Sequence, residues 1–248
     1  MENQLTNPLK IALIGYGKMG KTIEVLAPSA HCEVVFVGGR DWLQHRETLL
    51  QSGAQIAIEF TAPESAAENL LGLIELGIPT VCGSTGWANN EAEVKEACQK
   101  NSGSILVGSN FSVGVHMFFA LNKKLAKWMG SFPEYAVRLT EIHHTQKKDA
   151  PSGTAVTTAN GIVEQNPAYT GWELYLGKET KGLVPIAAKR QDEVKGFHSV
   201  AWHSGIDQLE LRHLAHSRDG FALGALRAAR WLYGKQGWYG VEDMYAFE

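Results

Sequence analysis

Two histidines and two lysines fall within six residues, His143-His144-Thr145-Gln146-Lys147-Lys148, and Asp149-Ala150-Pro151-Ser152-Gly153-Thr154 follows at once. Histidine titrates near neutrality and suits proton transfer. Lysine keeps its proton at neutral pH unless strongly desolvated, so it also steadies developing negative charge. Ser152, Gly153 and Thr154 precede a helix-like run, where free backbone N–H groups favour an anion. Pro151 fits just ahead of such a start, because no N–H is needed there. The stretch from Glu141 to Thr154 therefore reads as a site for a small molecule carrying carboxylate or phosphate, with proton-handling groups beside it. A lone His-His pair is more often structural, and Lys148 reads as solvated charge. His143 and His144 would point to opposite faces of a regular strand, so both reach one ligand only if the strand has ended.

Other elements must hold this stretch and supply the second reactant. An apolar run from Lys10 to Ile14 leads into Gly15-Tyr16-Gly17-Lys18-Met19-Gly20 and then a helical pattern through Ile23, Leu26 and Ala27. Strand, glycine turn and helix form the context of a dinucleotide fingerprint. Gly15 allows the tight turn, Gly17 lets the backbone approach a pyrophosphate, and Gly20 allows close helix–strand packing. The next strand, from Cys32 to Val37, ends in Gly38-Gly39-Arg40. The acidic residue that usually holds a ribose 2′-hydroxyl is absent there, while Arg40 can meet a 2′-phosphate. NADPH is therefore expected to be accepted, with NADH left open.

Further strand–helix units follow, with strands at 55–60, 79–82 and 104–107 and helices to Leu76, to Lys100 and over 113–129. This alternation predicts a Rossmann-type, doubly wound parallel sheet of the α/β class, whose ligands sit at the carboxyl ends of the strands. Those ends carry Phe60-Thr61, Gly83-Ser84-Thr85 and Gly108-Ser109-Asn110-Phe111. Their small polar groups can hydrogen-bond a carboxamide, and Phe111 can pack on a nicotinamide ring. Beyond Met129 a strand over 135–142 delivers His143. A helix over 155–165, a long loop over 166–183 and three strands at 186–190, 196–204 and 207–213 complete a second, mixed α+β region. A final helix over 220–233 returns to the first domain by its α character.

Composition bounds the reading. The 248 residues are 44% hydrophobic and 20% charged, which fits a soluble globular chain of one large or two modest domains. A net charge of −3 gives no reason to expect nucleic acid or an anionic membrane as partner. The polar N-terminus lacks the apolar core of a signal peptide, and no apolar run reaches the ~20 residues of a membrane span. Three unpaired-looking cysteines fit a reducing cytoplasm. His213 and His216 lack acidic or cysteine partners, so no metal site is expected.

Glu141-Ile-His-His-Thr-Gln-Lys-Lys-Asp-Ala-Pro-Ser-Gly-Thr-Ala155 resembles the signature E-x-H-H-x-x-K-x-D-A-P-S-G-T-A of the 4-hydroxy-tetrahydrodipicolinate reductase (dihydrodipicolinate reductase) family. Gly83 to Gly86, Asn110 to Gly114, Ser217-Arg218 and Phe221 to Ala225 extend the likeness over nearly the whole chain. The resemblance implies hydride transfer from NADPH or NADH to a cyclic, dicarboxylated imine in the diaminopimelate route to lysine. It implies that His143 is the acid/base group, Lys147 the proton donor, and His144, Ser152, Gly153 and Thr154 substrate contacts. Gly15 to Gly20, Arg40, Phe60, Thr61, Gly83 to Thr85 and Gly108 to Phe111 become cofactor contacts. It further implies a dinucleotide domain of residues 1–111 and 218–248, a substrate-binding and oligomerisation domain of residues 112–217, and a cytoplasmic homotetramer. The glycine turn is one residue shorter than the family's usual G-x-x-G-R-M-G, Gly39 replaces a frequent acidic residue, and the short segment from Arg40 to Gln55 predicts a reduced helix.

Two other readings compete. Cys82 at a strand end could be the nucleophile of an aldehyde-oxidising relative, although no histidine partners it in sequence. A redox-sensing regulator that binds NADP without turnover would not need the density of proton-moving groups after Glu141.

Overall fold

A computed structural model describes residues 7–245 and 247. The N-terminal residues read as lacking a signal peptide lie partly outside this range. In chain order the elements are β1 (Leu9–Ile14), α1 (Lys18–Leu26), β2 (Cys32–Gly38), α2 (Arg46–Gln51), β3 (Ile56–Glu59), α3 (Pro63–Glu75), β4 (Thr80–Cys82), α4 (Glu91–Lys100) and β5 (Ser104–Val107). Then come α5 (Val113–Met129), β6 (Ala136–His143), α6 (Gly153–Gln165), β7 (Gly171–Leu174), β8 (Leu183–Arg190), β9 (Phe197–His203), β10 (Gln208–Leu214), α7 (Asp219–Leu232), β11 (Gly237–Gly240) and α8 (Val241–Met244). Two units divide the chain: one runs to Val113 and resumes at Arg218, the other is Gly114–Ser217.

The first unit is a six-stranded sheet of order β11-β5-β4-β3-β1-β2 in which every neighbouring pair is parallel. Its central strands are continuous apolar runs because both faces are covered. Leu9, Ile11 and Leu13 of β1 pack with Ile23 of α1 and Ala225, Leu226 and Ala229 of α7. Ala12 and Ile14 point the other way, onto Trp42, Leu49 and Leu73. The period-2 alternation of one strand thus feeds two cores. The segment after Arg40 yields only a 3-10 turn and the six-residue α2, the reduced helix that its length implied.

The second unit is a five-stranded sheet of order β10-β9-β6-β8-β7. β6 pairs antiparallel with β9 and parallel with β8, so the sheet is mixed. On its helix-covered face, Val137 and Leu139 of β6, Val200 and Trp202 of β9, and Val184 and Ile186 of β8 meet Ala155, Ala159 and Ile162 of α6. The long loop expected over 166–183 contains a strand, β7, which adds parallel to β8. Its four residues, Gly-Trp-Glu-Leu, are too few for a period to register. β11 is equally short, with Gly237 and Gly240 bracketing two aromatic residues, so no period registers there either. Among the described residues no helix is long and apolar enough to cross a membrane.

Candidate active site

In the second unit, the alternation that places Val137 and Leu139 in the core continues to Glu141 and His143 at the end of β6. The same face of β9 continues from Trp202 and Val200 to His198, which lies directly opposite Glu141. Arg190 ends β8 opposite His143. The sheet face that is apolar along most of its length therefore ends in one carboxylate, two imidazoles and a guanidinium.

Glu141 is fully buried. Its Oε1 accepts the backbone N–H of Ser152 at 3.1 Å and both Nη1 and Nη2 of Arg190 at 3.2 Å. Its Oε2 lies 3.1 Å from His143 Nδ1 and 3.9 Å from His198 Nε2. The His143 contact has ion-pair distance without the in-line N–H of a hydrogen bond, so it acts through charge proximity. Burial alone would raise the Glu141 carboxyl, but His143 and Ser152 outweigh it and hold the group down at about 2. Glu141 is therefore a permanent anion at neutral pH. Burial, then the neighbouring His143, pushes His198 down to about 3, so its ring stays neutral. The two rings meet edge-on with centroids 5.1 Å apart.

Arg190 also fastens the loop between β6 and α6. Its Nε donates to the Lys147 carbonyl at 3.2 Å, and Nη2 donates to the Asp149 carbonyl. Lys147, carried by this loop, pairs through Nζ with Asp149 Oδ1 at 2.9 Å. His144 lies just beyond the end of β6, so the strand has ended where the adjacent histidines require it to.

The helix start at 152–154 divides its labour. Ser152, expected among the direct substrate contacts, is only 2% exposed. Its hydroxyl accepts from Ala155 N at 3.2 Å as the N-cap of α6 and lies 3.2 Å from His198 Nε2. The Ser152 hydroxyl therefore orients the helix rather than facing outward. Gly153 is exposed, and a Cβ there would meet nothing within 4 Å. The N–H groups of Gly153 and Thr154 fall in the first turn, where helices leave donors without intrahelical partners. They remain available to an anion.

In the first unit, the three turn glycines differ in the space around them. Gly15 has φ +94°, and a Cβ on it would sit 2.1 Å from the Phe60 carbonyl oxygen. A Cβ on Gly20 would lie 2.4 Å from the Gly15 carbonyl oxygen. Both are filled by the fold itself. Gly17 caps α1, and a Cβ there meets nothing within 4 Å, leaving bare backbone at a helix N-terminus. That is the cradle a pyrophosphate needs. Tyr16 is exposed and donates its hydroxyl to Glu24, while Lys18 and Met19 open α1.

Arg40 is exposed in the turn after β2. Thr61 and Ser84 are tied together, Thr61 N donating to Ser84 Oγ at 2.7 Å, so the ends of β3 and β4 form one surface. Gly83 and Thr85 flank Ser84 there, and Gly108, Ser109 and Asn110 follow β5. Phe111 departs from its expected role. It is 1% exposed, its ring is edge-on to Phe60 at 6.1 Å, and Gly224 of α7 packs against its backbone. Its ring is a core element, so what this strand end offers a nicotinamide is backbone and Asn110.

Cys82 is fully buried against Glu59, and burial drives its thiol far above the ordinary range. It is no nucleophile, which removes the aldehyde reading. His213 packs against Phe118 at 6.3 Å. Among the described residues, Glu141, His143 and His198 have ligand atoms close enough to share a cation, all within 4.8 Å. Arg190 already holds that carboxylate, which opposes a dication there.

A Rossmann-type unit with a bare glycine turn, joined in one chain to a mixed-sheet unit with an acid–base cluster at a helix start, marks an oxidoreductase. The family model described as dihydrodipicolinate reductase, N-terminus, matches residues 9–111, and that for the C-terminus matches residues 114–245. The 4-hydroxy-tetrahydrodipicolinate reductase of Christiangramia forsetii is 42% identical over 236 residues, covering 95% of this chain and 97% of that protein. The protein of the same name from Methanosarcina mazei is 36% identical over 207 residues, covering 80% and 76%. A solved structure, dipicolinate-bound dihydrodipicolinate reductase from Paenisporosarcina, shares the fold with a TM-score of 0.71 at 20% identity, over 96% of this chain and 100% of that one. The chain belongs to the dihydrodipicolinate reductase family.

Proposed function

We propose that the chain reduces 4-hydroxy-tetrahydrodipicolinate to tetrahydrodipicolinate in the diaminopimelate route to lysine, with His143 and Lys147 managing the protons. The carrying observation is His143 at the end of β6, its Nδ1 3.1 Å from a buried carboxylate, on the sheet that leads directly into the free N–H groups at the start of α6. A reduced nicotinamide dinucleotide bound at the strand ends of the first unit supplies hydride. The first-turn N–H groups of Gly153 and Thr154, the Thr154 hydroxyl and His144 hold the substrate carboxylates. A helix start contributes about 0.3–1 kcal/mol to each anionic group at exposed sites, and more where water is displaced. His143 exchanges the proton that balances the charge left by hydride, and Lys147 steadies that charge and delivers its own proton.

Gly15 to Gly20 cradle the pyrophosphate, with Phe60, Thr61, Gly83 to Thr85, Gly108 to Asn110 and the backbone alone of Phe111 along the nicotinamide end. Arg40 meets the 2′-phosphate of NADPH, because nothing acidic ends β2 to favour the free hydroxyl of NADH. The working form is a cytoplasmic homotetramer assembled through the second unit's sheet. Support comes from its uncovered face, where Ile142 and Ala201 are only half-buried and Leu214 of β10 is exposed. Consumption of NADPH by the wild-type protein with enzymatically generated substrate tests the activity. Binding of NADPH without any turnover would favour the regulatory reading instead. For Arg40, replacement by alanine is expected to lower the NADPH-to-NADH ratio of kcat/KM by about tenfold or more, the effect of losing a charge-assisted bond. An unchanged ratio removes Arg40 from cofactor choice.

A further inference from the structure

The carboxylate of Glu141 lies behind His143, and both of its oxygens are assigned by the geometry. Oε1 is taken by Ser152 N and the Arg190 fork, while Oε2 faces His143 Nδ1. We propose that Glu141 is a positioning residue that keeps the proton of neutral His143 on Nδ1, so that Nε2 is the nitrogen presented to the substrate. This rests on the assignment of His143 as the acid/base group.

Three observations carry it. A deprotonated Nδ1 would leave an electron-rich nitrogen 3.1 Å from a carboxylate oxygen, so the nearby negative charge favours a proton there. The other ring nitrogen is kept clear by a glycine. A Cβ on Gly196 would stand 3.3 Å from His143 Nε2, and the Gly196 backbone is outside the left-handed region, so space and not conformation explains the glycine. The charges around the ring also balance. Glu141 on β6 is offset by Arg190 on β8, Lys147 on the loop is offset by Asp149, and His198 on β9 is neutral. Arg190 grips both Glu141 and the carbonyls of Lys147 and Asp149, so the carboxylate cannot swing away from Nδ1 without freeing the loop. A buried carboxylate also fixes an imidazole tautomer in unrelated hydrolases, there through a hydrogen bond.

Nitrogen-15 spectra of histidine-labelled protein test this, with the His143 signals assigned by their loss in His143→Gln. The wild type is expected to show neutral His143 protonated on Nδ1. Glu141→Gln presents an amide N–H in place of the anion. It is expected to move the proton to Nε2 and to lower kcat by about 10²-fold with KM little changed. Gly196→Ala is expected to lower kcat while leaving the proton on Nδ1. An Nε2-protonated wild-type ring overturns the proposal, and so does wild-type kcat in Glu141→Gln beside an inactive His143→Gln. Full activity in His143→Gln instead overturns the underlying assignment. If Glu141→Gln fails to fold, the wild-type tautomer decides alone.

Discussion

His198 and Glu141 set how the second unit meets acid. His198 titrates near 6.5 when unfolded but stays neutral down to about 3 in the fold, so below 6.5 the unfolded chain binds the extra proton. Stability therefore falls as pH drops from about 6.5 toward 3, by up to about 1.4 kcal/mol per pH unit from this group. Glu141 acts in a lower window. Its carboxylate contributes stability that is fully present above about 4.5 and is lost as pH falls through about 2. Denaturant unfolding at about pH 7 and about pH 5 separates the two, because of this pair only His198 changes protonation there, in the unfolded chain. His198→Gln should show a smaller loss between those pH values than the wild type, and an equal loss would mean that His198 is not held neutral. At this scale the sequence was readable where chemistry is contiguous. His143, Lys147 and Thr154 stand in one motif. Arg190 and His198 are not legible in the sequence, because cross-strand pairing brings them to Glu141 and a single sequence does not display register. Their parity was a usable signal: once Val200 and Trp202 are core residues, His198 must share their face.

Among the elements, the turn from β1 to α1 makes the sharpest distinction. Gly15→Ala and Gly20→Ala both force a Cβ into backbone, and Gly15 adds strain from its positive φ. Each should destabilise the protein by about 1–3 kcal/mol in denaturant unfolding. Gly17→Val has open space around it, so it should unfold like the wild type yet bind NADPH at least about tenfold more weakly in a titration of cofactor fluorescence. Wild-type affinity in Gly17→Val would move the pyrophosphate away from this turn. The elements of the first unit were legible because parallel strands buried on both faces are unbroken apolar runs closed by glycine. β7 and β11 were not, because four-residue strands fall below the length at which alternation means anything. Phe111 shows the complementary failure. Its position at a strand end suggested a ligand contact, and only the approach of Gly224 reveals that its ring belongs to the core.

At the scale of the whole molecule, two units with separate cores carry the glycine turn and the Glu141–His143 cluster respectively. The resemblance visible in one fifteen-residue string extends over both, since the family models together run from residue 9 to residue 245. Light scattering should give four times the 27.1 kDa chain mass, and a monomer would remove the proposed assembly through the second sheet. The central claim is that this chain reduces its substrate through the groups at the end of β6. It is tested most directly by following NADPH oxidation with enzymatically generated substrate for wild type, His143→Ala and Lys147→Ala. Turnover by the wild type, with kcat lower by about 10²–10⁴-fold in each variant, is the predicted result; undiminished turnover in both variants would contradict the account.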